Sequence, residues 1–384
     1  MKPHVIWLCS WYPNEVDRFT GDFIQRHAIA ASAYANIEVV HVVHGCSEKK
    51  ETVHRVNAQL RETIIYTTAG NKLTRHWCLR KAYAQFFTSY EAQYGKPDAL
   101  HVHVAFPAGI IGRIWKNKWS IPLLLTEHYG IYNHVVEDAF PKRSRWFQRA
   151  TQAAVQAANM VLPVSDALAQ GMQKFVGKFP YTVVPNVVDT SLFYPSENVK
   201  PIQSFRFVHV SNMSAVKNIP GLLRAFAEVV RVEPSAQLYL LGAKPDALLQ
   251  EAEALGLLNR SVFFEHEMAY AEVAERVRDA HAGVLFSHSE MLPCSLLEWL
   301  CSGLPVVASR VGGIPEVIDE KNGILVEAGN EHALTQAMLT MMRDYAQYNS
   351  QQIAGAAIAQ FSYEAVGQQL QSIYLKQLKQ TNVQ

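Results

Sequence analysis

The sequence is poor in the features that would tie it to an oxidising compartment, a membrane or a nucleic acid. Only five of its 384 residues are cysteine: Cys9, Cys46, Cys78, Cys294 and Cys301. Their number is odd and no two share a Cys-x-x-Cys spacing, which argues against a disulfide framework or zinc site and for a reducing cytoplasm. No run approaches the ~18 apolar residues that a membrane span needs. The opening "HVIWLCSWYP" is apolar only from Val5 to Cys9, too short and too weakly charged for a signal peptide. Charge of one sign is missing as well. Lys and Arg number 35 against 34 Asp and Glu, a net charge of +1, so no global field draws the chain to nucleic acid and any anion site must be local. There is no Gly-x-Gly-x-x-Gly fingerprint, no P-loop, no short repeat and no low-complexity segment. The expectation is a soluble cytoplasmic protein that can still lie against a membrane.

What is present is enough for two cores. A chain of 384 residues exceeds one ordinary domain, and 49% hydrophobic against 18% charged residues supplies the material for a pair of about 180 residues each. In the first half "HVIWLCS", "NIEVVHVVHG", "ETIIYTT", "ALHVHVA", "IPLLLTEH" and "MVLPVS" read as strands. Helical stretches such as "DFIQRHAIAASAYA" and "WCLRKAYAQFFTSYEAQYG" alternate with them. After "YTVVPNVVDTSLFYPSENVKP", which reads as an interdomain linker, the pattern restarts. "FRFVHVSN", "AQLYLLGA", "SVFFEHE", "AGVLFSHS", "LPVVASRV" and "GILVEAG" are strands there. "IPGLLRAFAEVVRV", "DALLQEAEALGLL", "AYAEVAERVRDA" and "SLLEWLCSG" are helices. The expected fold is α/β: two Rossmann-like, doubly wound domains facing each other across a cleft, over residues 1–185 and 186–362. A C-terminal helix over about 363–384 is free to pack back on the first domain. Ligands of such sheets bind at the carboxyl ends of the strands.

Several strand-end loops carry candidate functional residues. Gly21, in "FTGDFIQRH", stands just before a helix, either as a turn glycine or where a ligand approaches backbone amides. His101 and His103 alternate along one strand and share a face, either as metal ligands or as strand histidines at a domain surface. His128 ends the apolar "LLLTEH" and precedes a glycine, where a strand delivers side chains to the cleft. Lys217 sits just ahead of a helix start, either a solvated loop lysine or a cation for phosphate.

The richest stretch is "FSHSEMLPCSLLEWLCSGLPVVASRVGGIPE", residues 286–316. A strand running into a loop puts Glu290 at the mouth of the sheet. Ser295-Leu-Leu-Glu298 fits a capping box, which would account for Glu298 without any ligand but leaves Glu290 unexplained. The amides of Cys294, Ser295 and Leu296 at the helix start make an anion site suited to a diphosphate.

These residues resemble the retaining glycosyltransferases of the GT-B fold, in particular family 4, or glycosyltransferase group 1. The resemblance covers the second half throughout: "FVHVSNMSAVKN", then two glutamates with seven residues between them, Gly-Leu-Pro-Val-Val, Gly-Gly-x-x-Glu and "NGILVE". The first half matches more loosely, in "WYPNEVDRFTGDFIQRHA", "TEHYG" and "VVPNVVDTSLF". The resemblance implies a nucleotide-diphosphate-sugar as co-substrate, no metal and no other cofactor, and retention of configuration. It places Glu290 on donor-sugar hydroxyls, Glu298 on the ribose, Lys217 and the amides of Cys294, Ser295 and Leu296 on the diphosphate, His128 near the sugar and Gly21 on the acceptor path. The family commonly has Gly-Arg-Leu where this chain has Ser211-Asn212-Met213. Asn212 brings a donor without charge, and Arg310 is a candidate to supply the missing cation. No Asp-x-Asp is present. A nucleotide-sugar epimerase of the same fold and a non-catalytic nucleotide-binding protein are the alternatives.

Cation–aromatic clusters in the first half, "NKLTRHWCLRKAYAQFF", "RIWKNKW" and "PKRSRWFQR", suit either peripheral contact with anionic lipid or ordinary solvated helix faces over an aromatic core. Peripheral contact on the cytoplasmic face of a membrane would serve a glycan or lipid-linked acceptor in cell-surface polysaccharide synthesis.

Overall fold

The computed structural model describes residues 2–68, 71–133, 135–196 and 204–381. The chain divides into two compact units. Met1–His134, Asp138–Val187 and Tyr363–Gln384 form one, and Val135–Glu137 with Val188–Ser362 form the other.

The first unit is built on seven strands: β1 (His4–Cys9), β2 (Asn36–His44), β3 (Lys50–Asn57), β4 (Leu60–Thr67), β5 (Ala99–His103), β6 (Leu123–Glu127) and β7 (Met160–Pro163). Their order is β3-β4-β2-β1-β5-β6-β7, and every neighbouring pair is parallel except β3–β4. The central strands are apolar runs because helices cover both faces: Val5 to Cys9 and Leu123 to Glu127 are all buried. β3 has no apolar run to announce it. It is a largely exposed antiparallel edge, rich in Lys, Glu, His and Arg, the usual way an edge is kept from pairing further. Helices α1 (Asp22–Ser32), α2 (Lys72–Tyr94), α3 (Ala108–Trp119), α4 (Arg145–Ala157) and α5 (Asp166–Val176) connect the strands. The order reverses between β1 and β5, so the carboxyl ends of these two strands form the crevice of this sheet.

The second unit has six parallel strands in the order β10-β9-β8-β11-β12-β13: β8 (Arg206–Ser211), β9 (Gln237–Gly242), β10 (Val262–Glu265), β11 (Ala282–Leu285), β12 (Val306–Ser309) and β13 (Gly323–Val326). Helices α6 (Ile219–Val232), α7 (Asp246–Ala254), α8 (Tyr270–Asp279), α9 (Cys294–Cys301), α10 (Glu331–Arg343) and α11 (Ser350–Phe361) complete it. The reversal lies between β8 and β11, so the loops that follow them, which carry Lys217 and Glu290, leave the sheet side by side.

The last helix, α12 (Tyr363–Thr381), belongs to the first unit and lies against α1. Gly367 permits the approach, because a Cβ there would stand 2.5 Å from the carbonyl oxygen of Ala30. Buried Tyr374 takes a 3.1 Å hydrogen bond from Trp7 Nε1 and makes one of 2.7 Å with His101 Nδ1. The stretch expected as a linker is largely core up to Phe193, for Val184, Val187, Val188 and Phe193 are fully buried, and Val188 forms a β-bridge with Ser362. Its remainder beyond residue 196 lies outside the described residues.

Candidate functional site

In the second unit the loop after β8 is braced from below. His209 is buried and pushed down to about 4 by desolvation. Its Nδ1 faces the Val284 carbonyl at 2.9 Å and so donates to it, leaving Nε2 to pair with Ser211 Oγ at 2.8 Å. Ser211 Oγ also accepts from the Met213 amide at 3.0 Å. The loop turns through left-handed residues at Met213 and Asn218, and a single 3₁₀ turn, Ala215–Lys217, presents the lysine. Asn218 then caps α6, accepting from the Gly221 amide at 3.3 Å. Asn212 is exposed on the same loop, its Oδ1 accepting from the Ser214 amide.

The loop after β11 is tied to this one by the His288 amide, which donates to the Val216 carbonyl at 2.8 Å. Lys217 Nζ donates to Glu290 Oε1 at 2.6 Å, and Ser287 Oγ donates to the same oxygen at 2.7 Å. Glu290 is 8% exposed, so this ion pair is mostly shielded from water. The turn after β12 closes the loop from the other side. Gly312 has φ of 54°, and a Cβ there would fall 1.6 Å from the Glu290 carbonyl oxygen, so only glycine fits. The adjacent Gly313 amide donates to the Met291 carbonyl at 2.8 Å. Arg310 forms an exposed ion pair with Glu327 at 3.5 Å.

Helix α9 begins at Cys294 with Pro293 as its N-cap and no side-chain cap. The expected capping box is therefore absent: Ser295 is the second residue inside the helix, and Glu298 is a buried mid-helix residue. Proline ahead of the first turn starts the helix earlier than the serine would. Glu298 Oε1 accepts instead from the Tyr270 hydroxyl at 2.6 Å. The helix can lie on β11 because Gly283 has no side chain; a Cβ there would stand 2.2 Å from the Trp299 ring. Cys294, Ser295 and Leu296 form the first turn at the Glu290 end.

In the first unit Gly21 is the left-handed N-cap of α1 (φ 72°), and a Cβ on it would meet the Trp11 backbone at 2.7 Å. Two residues of that helix reach His128: Phe23 with ring centroids 4.8 Å apart and His27 at 5.3 Å. The structure thus brings the environments of Gly21 and His128 together. His128 is fixed through Glu127, a buried carboxylate that accepts from the amides of Ala105 (3.1 Å), His128 (3.0 Å) and Tyr129 (2.9 Å). Burial pushes Glu127 up, and these three amides pull it back. Asn186 is a polar neighbour of His128, whose ring burial drives well below the usual imidazole range.

His101 and His103 do share a face, but that face is fully buried rather than on a domain surface. They pack on Trp7 at 4.9 and 4.0 Å because the strand they occupy is central, with helices on both sides. No group of three or more His, Cys, Asp or Glu able to hold a metal ion occurs among the described residues. Of the aromatic residues in the basic clusters, Trp115 and Trp119 are core, whereas Trp77 (61% exposed) and Trp146 (54%) face solvent. No helix among the described residues is long and apolar enough to cross a membrane.

The sequence reading missed Tyr270, Ser287, His209, His27 and Glu127. Ser287 and Glu127 were readable from adjacency, standing in the same strand-end loops as Glu290 and His128. Tyr270 reaches Glu298, and His209 reaches Val284, only through tertiary packing, whereas the His209–Ser211 contact is local.

Two family models match the chain. The one described as "Glycosyltransferase Family 4" matches residues 24–192, and "Glycosyl transferases group 1" matches residues 204–344, so that between them they take in most of the sequence. Among curated proteins, the chain is 25% identical over 304 residues to an N-acetyl-alpha-D-glucosaminyl L-malate synthase of Bacillus anthracis, covering 75% of this chain and 77% of that one. Among solved structures it superposes on sucrose-phosphate synthase from Thermosynechococcus elongatus with a TM-score of 0.79 at 21% identity, over 97% of this chain and 98% of that one. Anabaena HepE in complex with UDP and glucose gives a TM-score of 0.74 at 18% identity, over 97% and 100% of the respective chains.

Proposed function

The chain belongs to glycosyltransferase family 4 and is a nucleotide-sugar-dependent glycosyltransferase of the GT-B fold, and on that premise we propose that it transfers a sugar to a hydroxyl with retention of anomeric configuration. The observation that carries this reading is the shielded Lys217–Glu290 pair at the β8–β11 reversal, held by Ser287 and closed off by Gly312. Glu290 takes hydroxyls of the donor sugar. Lys217, with the first-turn amides of α9 at Cys294, Ser295 and Leu296, meets the charge that grows on the departing diphosphate. Glu298, steadied by Tyr270, takes the ribose, and Asn212 adds an uncharged donor at the phosphates. In the first unit His128 serves the sugar and Gly21 the acceptor. The bond from the anomeric carbon to the diphosphate oxygen breaks. The acceptor oxygen forms the new bond on the same face, and the leaving phosphate oxygen takes its proton. Retention by way of a covalent enzyme intermediate is disfavoured, because Glu298 is committed to Tyr270 within a helix.

The acceptor is a glycan or lipid-linked intermediate of cell-surface polysaccharide synthesis, met by a cytoplasmic enzyme in peripheral contact with the inner face of a membrane. This is supported by the exposed Trp77 and Trp146; His76 and Trp146 meet edge to face with ring centroids 5.5 Å apart and so draw the starts of α2 and α4 together. The sequence has no acidic residue over 72–90 or 139–165, while Arg75, Arg80, Lys81, Lys142, Arg145 and Arg149 lie exposed there.

The test is a panel of UDP-, GDP-, ADP- and dTDP-sugars, offered with and without glycan and polyprenyl-phosphate-sugar acceptors, with products resolved by proton NMR. Nucleoside diphosphate release with a product of the donor's own anomeric configuration is expected. An inverted product refutes retention, isomerised free nucleotide-sugar marks an epimerase, and binding without turnover marks a sensor.

A further inference from the structure

His103 is placed as a residue that stability alone would not select. It ends β5 at the reversal of the first sheet, is fully buried, and neither ring nitrogen has a hydrogen-bond partner among the described residues. A buried imidazole with an unmatched donor and an unmatched acceptor is worse for folding than a phenyl ring of similar shape. The backbone beside it is strained too. Val104 is a β-branched residue with φ of 65°, pinned on every side: its amide donates to Thr126, its carbonyl accepts from Ser10 Oγ at 2.7 Å, and the next amide, of Ala105, is held by Glu127. Strain so firmly maintained marks a position kept for a purpose other than packing.

The surrounding rings leave His103 one available partner. His101, 4.3 Å away, has both nitrogens engaged, by the Tyr374 hydroxyl and by Thr126 Oγ1, each at 2.7 Å. His27, at 6.3 Å, has its nitrogens on the carbonyls of Phe23 and Pro185. Trp7 stacks on the ring face and offers it no acceptor. His128 remains, half-buried and stacked on His103, its ring within 19° of parallel and its centroid 5.8 Å away, with the Asn186 side chain as its other polar neighbour. A hydrogen bond of about 2.9 Å between two imidazole nitrogens lies in the ring planes and sets the centroids about 5 Å apart, so the bond requires a side-chain rotation of His128 that turns its ring edge towards His103.

We propose that His103 is a positioning residue for His128, bonding one ring nitrogen and thereby fixing the tautomer that the other nitrogen presents to a substrate hydroxyl. The orientation of a working histidine is set by what its second nitrogen touches, and here the second group is another buried imidazole in place of a carboxylate. The proposal rests on the reading that His128 touches the donor or acceptor.

The experiment compares His103→Phe, His103→Gln and His128→Ala in the full chain. Three readouts are taken: melting temperature, kcat and donor KM from nucleoside diphosphate release by the panel donor that is turned over, and side-chain nitrogen NMR of histidine-labelled protein with UDP added. His103→Phe is expected to melt at or above the wild type, to lose about tenfold or more in kcat with KM within about twofold, and to show His128 as a mixture of tautomers. His103→Gln, whose amide can take the same bond, recovers most of the loss. Wild-type kcat and a single His128 tautomer in His103→Phe would overturn the proposal while leaving the role of His128 intact. Should His103→Phe fail to fold, His103→Gln decides on the same readouts, and a large kcat loss in a well-folded His103→Gln with a single His128 tautomer counts against the proposal. Unchanged activity in His128→Ala would remove both this proposal and the reading on which it rests.

Discussion

Lys217 and Glu290 stand 73 residues apart in sequence and meet at 2.6 Å, delivered by the loops that leave β8 and β11 where the strand order of the second sheet reverses. Neither loop reaches this arrangement alone. His209 and Ser211 set the first, Ser287 and Gly312 set the second, and the His288–Val216 bond joins them. The pair places a cation and an anion together at the carboxyl ends of two central strands, the arrangement that the proposed reaction of a sugar with a diphosphate leaving group calls on.

Gly312 makes this arrangement testable. Gly312→Ala drives a methyl into the Glu290 carbonyl at a backbone angle that disfavours any side chain. It should cost several-fold more stability than Gly256→Ala, where φ is also positive (71°) but nothing lies within 4 Å and about 1 kcal/mol is expected. Urea unfolding of the two variants checks the contrast, and turnover by any Gly312→Ala that folds should fall sharply.

Tyr270→Phe removes the hydroxyl that Glu298 accepts at 2.6 Å. Stability should drop by about 1–3 kcal/mol because a buried carboxylate loses a partner. Nucleoside diphosphate affinity, measured by calorimetry, should weaken by about tenfold, with kcat changed little. Unaltered affinity would separate Glu298 from the nucleotide.

Stability should depend on pH through buried histidines. Desolvation pushes His101 to about 3 and His41 and His209 to about 4, and lowers His27, His103 and His128, against 6.5 for an unperturbed imidazole. Because the folded values are the lower ones, the unfolded chain binds more protons below about pH 6.5. The full contribution is present above that pH and is lost as the pH falls towards 4. The melting temperature should be flat from pH 7 to 8 and fall from pH 6.5 to 5, before most carboxylates titrate.

Most of the fold was legible. Every strand of the second sheet is a short apolar run bounded by turn residues, and the six expected runs are its six strands. β3 escaped because an exposed charged edge carries no hydrophobic signal, and α10 and α11 were not distinguished among the helices of the second half. Within the site the spacing of Glu290 and Glu298 could be read, but not what holds each of them. The capping box looked sound because Ser-x-x-Glu is a local pattern, whereas the start of α9 is decided by Pro293 and by packing on Gly283. The partner of Glu298 comes from another helix, which no local pattern records.

Contact with anionic lipid predicts that the protein floats with phosphatidylglycerol-containing vesicles at low salt and does so less at 0.5 M salt. Trp77→Ala with Trp146→Ala should abolish flotation without shifting the melting temperature by more than about 2 °C, since both rings are exposed. Equal flotation with neutral vesicles, or none with either, removes the membrane contact.

The central claim is that Lys217 and Glu290 act as one unit on the donor. A double-mutant cycle measures this directly, with Lys217→Ala, Glu290→Ala and the double variant assayed for release of nucleoside diphosphate from the panel donor. Each single change should reduce kcat by about 100-fold or more, with the double variant far less impaired than the product of the two, because the residues share one function. Near-normal turnover in folded Glu290→Ala, or fully multiplicative losses in the double variant, would contradict the account.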